Sequence, residues 1–111
     1  MATYEDIKDI PNHPEAYLID VRNANELEST GVIPASINIP LPDLDAALSK
    51  SNEEFKAAYN RPKPKEDSYI IFSCLAGGRA QRAAKLAIEN GFVNAKAYKG
   101  SWTEWAQKEG L

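Results

Sequence analysis

Chemistry in this chain centres on one residue. Of its 111 residues only Cys74 carries a thiol and only His13 an imidazole, so no internal disulfide can form and a Cys/His zinc site would lack ligands. Cys74 opens the segment Cys74-Leu75-Ala76-Gly77-Gly78-Arg79, which follows the apolar run Tyr69-Ile70-Ile71-Phe72-Ser73 and precedes an alanine-rich stretch. Gly77 and Gly78 permit backbone angles closed to other residues, so successive N–H groups can converge on one point. A helix starting there turns its positive end toward the loop, and Arg79 adds a permanent cation. The segment is therefore suited to cradle an anion, with the Cys74 sulfur at its rim or centre.

Those surroundings favour the thiolate. A free cysteine titrates near pH 8.5, and each unit of lowering takes about 1.4 kcal/mol of preference for the anion. The expectation is a nucleophile substantially ionised at neutral pH. A lone cysteine after an apolar strand is more often an inert core residue. Its company of Gly77, Gly78 and Arg79 at a strand-to-helix turn reverses that balance. His13, between Asn12 and Pro14, reads as a loop histidine rather than the base of a hydrolytic triad.

The rest of the chain narrows the setting. A net charge of −3 and a pI near 5.1 argue against nucleic acid as the main partner. No apolar run approaches the roughly 20 residues that cross a bilayer. Glu5, Asp6 and Asp9 make the first residues unlike a signal or transit peptide, so the expected location is cytoplasmic. The length fits one domain over residues 1–111.

Strands and helices alternate. Thr3 with Asp6 caps a first helix carrying Ile7 and Ile10 and ended by Pro11; Tyr17 to Val21 reads as a buried strand; Asn23 to Ser29 as a short helix closed by Gly31; Ser36 to Ile39 as a second strand. Pro42 opens a helix with Leu44 and Leu48 inward, and Ser51 with Glu54 forms a capping box before Phe55. Residues 60–67 are a polar surface loop. Tyr69 to Ser73 is the strongest strand, Arg79 to Asn90 a helix stopped by Gly91, Ala95 to Tyr98 a weaker strand, and Ser101 with Glu104 caps a last helix through Trp102 and Trp105. This order predicts an α/β fold with a mainly parallel sheet covered on both faces.

Several ordered motifs carry a likeness to a known family. They are Leu18-Ile19-Asp20-Val21-Arg22, Glu26, the run from Gly31 to Pro40, the loop Cys74 to Arg79, Tyr98-Lys99-Gly100-Ser101-Trp102, and Trp105. Together they resemble the single-domain rhodaneses, the thiosulfate sulfurtransferase-like proteins, and among them the insect members of about this length. The resemblance implies a central, mainly parallel five-stranded sheet flanked by helices. It implies catalysis by Cys74, which takes a sulfane sulfur from a small anionic donor such as thiosulfate and passes it to cyanide, a thiol or a protein acceptor. The chain is expected to work as a monomer without cofactor or metal. Leu75, Ala76, Gly77, Gly78 and Arg79 would bind the donor and the persulfide. Asp20, Arg22 and Trp102 would support the loop. Asp20 would pair with either Arg79 or Arg22, or the two strand-end residues would simply hold the fold, and Trp102 would line the pocket or be a core aromatic. Arg82 and Lys85 would extend the positive field or form a solvated face.

The chain departs from the family pattern at Leu75, where a polar or cationic residue is common, at Val32 in place of His, at Ala35-Ser36 in place of Gly-Ala, and at Ala80 in place of Ser or Thr. Rhodanese-like phosphatases and arsenate reductases carry five residues between Cys and Arg, whereas four separate Cys74 from Arg79. The shorter loop suits a sulfur-sized group. A weakly active binding or regulatory module is the other alternative.

Overall fold

The buried strands and the helical segments between them build one parallel sheet in a computed structural model that describes residues Met1–Leu111. Strands β1 (Tyr17–Asp20), β2 (Ser36–Asn38), β3 (Ile70–Ser73) and β4 (Ala95–Ala97) lie in the order β2-β1-β3-β4. Every pairing is parallel, with Asp20 opposite Asn38 on one side and opposite Ser73 on the other. The helices are α1 (Tyr4–Lys8), α2 (Ala24–Thr30), α3 (Leu41–Leu48), α4 (Asn52–Tyr59), α5 (Gly78–Glu89) and α6 (Ser101–Glu109).

Alternation along β1 and β3 divides the core in two. Tyr17, Ile19, Ile70, Phe72 and Cys74 face a cluster of 18 buried residues that includes Leu44, Leu48 and Phe55 from α3 and α4 and Ala80, Ala83, Ala84 and Ala87 from α5. Leu18 and Ile71 face a cluster of 10 that includes Ile7, Tyr98, Trp102 and Trp105. Both central strands are buried on both faces, which explains their apolar runs Tyr17-Leu18-Ile19 and Ile70-Ile71-Phe72. The four alanines remove side-chain bulk from α5, so its backbone lies close over β3 and β4.

The expected fifth strand is not formed. Ala2 makes a single parallel bridge to Tyr98, its N–H donating to the Ala97 carbonyl at 3.0 Å. The next residue, Thr3, already caps α1 by a reciprocal capping box with Asp6, which diverts the chain from the sheet edge. Helix α1 is also shorter than expected, since Ile10 falls with Pro11 in a separate 3-10 turn, Ile10–Asn12.

Strand order reverses between β1 and β3, because the chain steps outward from β1 to β2 and then returns to β1's other side. Beyond the carboxyl ends of strands flanking such a reversal lies the crevice where α/β sheets bind ligands. Here those ends deliver Asp20-Val21-Arg22 from β1 and Cys74 from β3.

Candidate active site

The loop after β3 closes around the Cys74 sulfur. The Gly77 N–H donates to Sγ at 3.0 Å and the Ala80 N–H at 3.4 Å, while the Ser101 hydroxyl lies 3.7 Å away. Burial is the largest single influence on the thiol and pushes its pKa up. The donors of Ala80, Gly77, Ser101 and Ala76 together outweigh it and hold the thiol below its ordinary value. The thiol is only 1% exposed, so the donors act where water screens them little.

Of the two glycines only Gly77 is required by the backbone. Its φ is +107°, and a Cβ there would collide with the Lys99 carbonyl. Gly78 begins α5 with open space around it, contrary to the expectation that both residues supply special angles.

A second set of bonds fastens the loop to α6. The Cys74 N–H donates to Ser101 Oγ at 3.1 Å, the Trp102 N–H to the Cys74 carbonyl at 3.0 Å, and Thr103 donates from both N–H and Oγ1 to the Leu75 carbonyl, at 3.0 and 2.9 Å. Ser101 does not cap α6 as the sequence suggests. Its φ is +52°, and its hydroxyl donates to the Tyr98 carbonyl at 2.7 Å while accepting from Cys74. The loop carbonyls thereby take up the free N–H groups at the start of α6 that a side-chain cap would otherwise satisfy.

The charged residues pair off. Asp20 pairs with Arg22, not Arg79: Arg22 Nη2 donates to Asp20 Oδ2 at 2.8 Å, and Nε reaches both carboxylate oxygens at 3.1 Å. The remaining Arg22 donors go to Thr30 Oγ1 and the Gly31 carbonyl, which ties the end of β1 to the end of α2. Arg22 is fully buried, with its guanidinium carbon 5.2 Å from the Trp102 ring centroid. Trp102 is itself 8% exposed, packed as a core aromatic over that pair.

Arg79 does not stand free. Its Nη1 and Nη2 donate to the two oxygens of Glu26 at 2.6 and 2.9 Å, a two-point ion pair. The Arg79 bonds, the Asn23 N–H, and the fields of Arg79 and Arg22 hold the Glu26 carboxyl at about 2, against a smaller opposing effect of burial. Glu26 stands among the motif positions of the resemblance, but the residues alone did not single it out as the partner of Arg79. Its position three after the helix-capping Asn23 gave only a structural signal. Leu75 and Val32 expose apolar side chains, at 43% and 48%, and Arg82 and Lys85 are solvent-exposed along α5. His13 is exposed and bonded to Asp9 and Glu15, as a loop histidine should be.

The fold and this loop define an α/β protein that presents one cysteine in a cup of backbone N–H groups. The rhodanese-like domain family matches residues 3–108, and the chain belongs to that family. It is 59% identical to a rhodanese domain-containing protein of Drosophila melanogaster over 111 residues, all of both chains. It is 40% identical to the human thiosulfate:glutathione sulfurtransferase over 95 residues, covering 85% of this chain and 82% of that one. Among solved structures, a human single-domain sulfurtransferase superposes with a TM-score of 0.89 at 32% identity, covering 97% of this chain and 96% of its own. The expected family, α/β class and kinship with rhodanese-type sulfurtransferases agree with these likenesses.

Proposed function

We propose that this protein transfers sulfane sulfur through a persulfide on Cys74. The observation that carries the reading is the cup of N–H donors from Gly77, Ala80 and Ala76 around a buried thiol held below its ordinary pKa. The Cys74 thiolate attacks the outer sulfur of thiosulfate, a sulfur–sulfur bond forms to Sγ, and the bond to the sulfonate sulfur breaks with its electron pair leaving as sulfite. The terminal sulfur then carries the negative charge. The same amides that favour the thiolate suit this persulfide anion. A thiolate or cyanide next attacks the terminal sulfur, leaving as a persulfide or thiocyanate and returning Cys74 to its thiolate. No second cysteine exists in the chain to receive the sulfur, so the acceptor is external. The thiosulfate:glutathione sulfurtransferase likeness favours a low-molecular-weight thiol.

Mass spectrometry of the intact protein after incubation with thiosulfate tests this. One added sulfur, absent in Cys74→Ser, supports it; no adduct at saturating donor removes it and favours a binding module. Arg79's commitment to Glu26 is the observation on the module's side. As part of the proposal the protein acts as one single-domain monomer in the cytosol, in keeping with a lone unpaired thiol. Recovery from a mitochondrial fraction would move that location.

A further inference from the structure

The charges around the loop cancel. Asp20 neutralises Arg22, and Glu26 neutralises Arg79, so the ionised Cys74 sulfur leaves the site with net negative charge. We propose that Glu26 sets the charge of the donor that the site accepts: by occupying Arg79 it disfavours dianionic donors such as thiosulfate relative to monoanionic donors with an apolar body. This deepens the sulfur-transfer reading and rests on it.

Three observations support the assignment. Glu26 is held in place by the Asn23 N–H at 3.2 Å as well as by Arg79, so its carboxylate is fixed beside the guanidinium rather than free to swing away. It stays ionised at any working pH, since its carboxyl titrates at about 2. Its side chain and that of Arg79 are each 27% exposed, so the pair lies within reach of an approaching ion. Leu75, next to Cys74 in the loop, has an apolar side chain that is exposed, which suits a donor with a hydrocarbon body. Lys99, whose backbone packs against Gly77, and Arg82 are solvent-exposed, where the high dielectric of water weakens their fields more than those of the part-buried Glu26 and Arg79.

Coulomb energy scales with donor charge, so a fixed carboxylate penalises a dianion about twice as much as a monoanion. Thiosulfate and benzenethiosulfonate make the comparison. Each gives its outer sulfur to the Cys74 thiolate, one releasing sulfite and the other benzenesulfinate with the electron pair of the broken bond. Glu26→Gln keeps an oxygen for the Asn23 N–H and one contact to Arg79. It should raise kcat/KM for thiosulfate about three- to tenfold at low salt, mostly through KM, and raise it less for benzenethiosulfonate. In the unaltered protein, raising salt from about 0.02 to about 0.5 M should increase kcat/KM for thiosulfate relative to benzenethiosulfonate. This arm needs no variant to fold. A ratio that falls with salt, or a Glu26→Gln protein of unchanged Tm that loses kcat equally with both donors, would overturn the proposal and make Glu26 a strut for Arg79. If the unaltered protein takes sulfur from neither donor, the transfer reading fails first and the proposal with it.

Discussion

Ser101 holds Cys74 from the far side of the loop, its hydroxyl accepting the Cys74 N–H at 3.1 Å from a backbone with φ +52°. A left-handed conformation in a non-glycine residue costs on the order of 1 kcal/mol. The fold offsets it by satisfying one buried amide and one buried carbonyl at once. Ser101→Ala keeps the strain and orphans both groups, so chemical denaturation should show a loss of about 1–3 kcal/mol. Thiolate absorbance should show Cys74 titrating higher, because Ser101 is among the groups that lower it and anchors the Cys74 amide in the loop that carries the N–H donors.

The thiol's titration has a defined sign. Its folded pKa is depressed, so ionisation stabilises the folded state most fully above the ordinary thiol range, and that contribution is lost as pH falls through the folded value. Persulfide formation with thiosulfate should rise with pH through the folded value, with its midpoint below the ordinary thiol pKa of about 8.5. A profile still climbing above pH 9 would mean an unperturbed thiol.

The two glycines should separate cleanly. Gly77→Ala places a methyl against the Lys99 carbonyl at φ +107° and should cost about 2–4 kcal/mol, with loss of sulfur transfer as the cup opens. Gly78→Ala adds a methyl into open space at the start of α5, and its thermal midpoint should stay within the change expected of about 0.5 kcal/mol.

The buried Asp20–Arg22 pair is the costliest to break. Asp20→Ala leaves the Arg22 guanidinium buried and uncompensated, so a loss of about 3–5 kcal/mol is expected in urea unfolding. Loss of less than about 1 kcal/mol would show that Arg22 escapes to solvent when its partner is removed.

Much of this was legible beforehand because it follows from local pattern. The continuous apolar runs around Leu18 and Ile71 gave the buried strands, the Thr3/Asp6 and Ser51/Glu54 pairs gave helix starts, and Cys74 with Gly77 gave the loop. What escaped depends on meetings between distant residues. Glu26 and Arg79 are 53 positions apart, and nothing in either local segment says that a carboxylate will claim the cation. Ser101 followed by Glu104 satisfies the spacing of a helix cap, yet the Cys74 amide and Tyr98 carbonyl claim that hydroxyl instead. The fifth strand was lost for the opposite reason, since the local capping box at Thr3 takes the chain away from a pairing partner at Tyr98 that could have extended the sheet.

Leu75 divides its labour between main chain and side chain. Thr103 fastens its carbonyl with two bonds, while its side chain stands in solvent. Replacing that side chain should therefore change which molecules are welcomed at the mouth without disturbing the sulfur's surroundings. Leu75→Arg should lower KM for thiosulfate several-fold, and any shift it causes in the Cys74 titration should be downward. Position 75 is in that sense an adjustable fitting on a rigid mount, a place where clientele can be exchanged by one substitution while the reactive geometry is inherited intact.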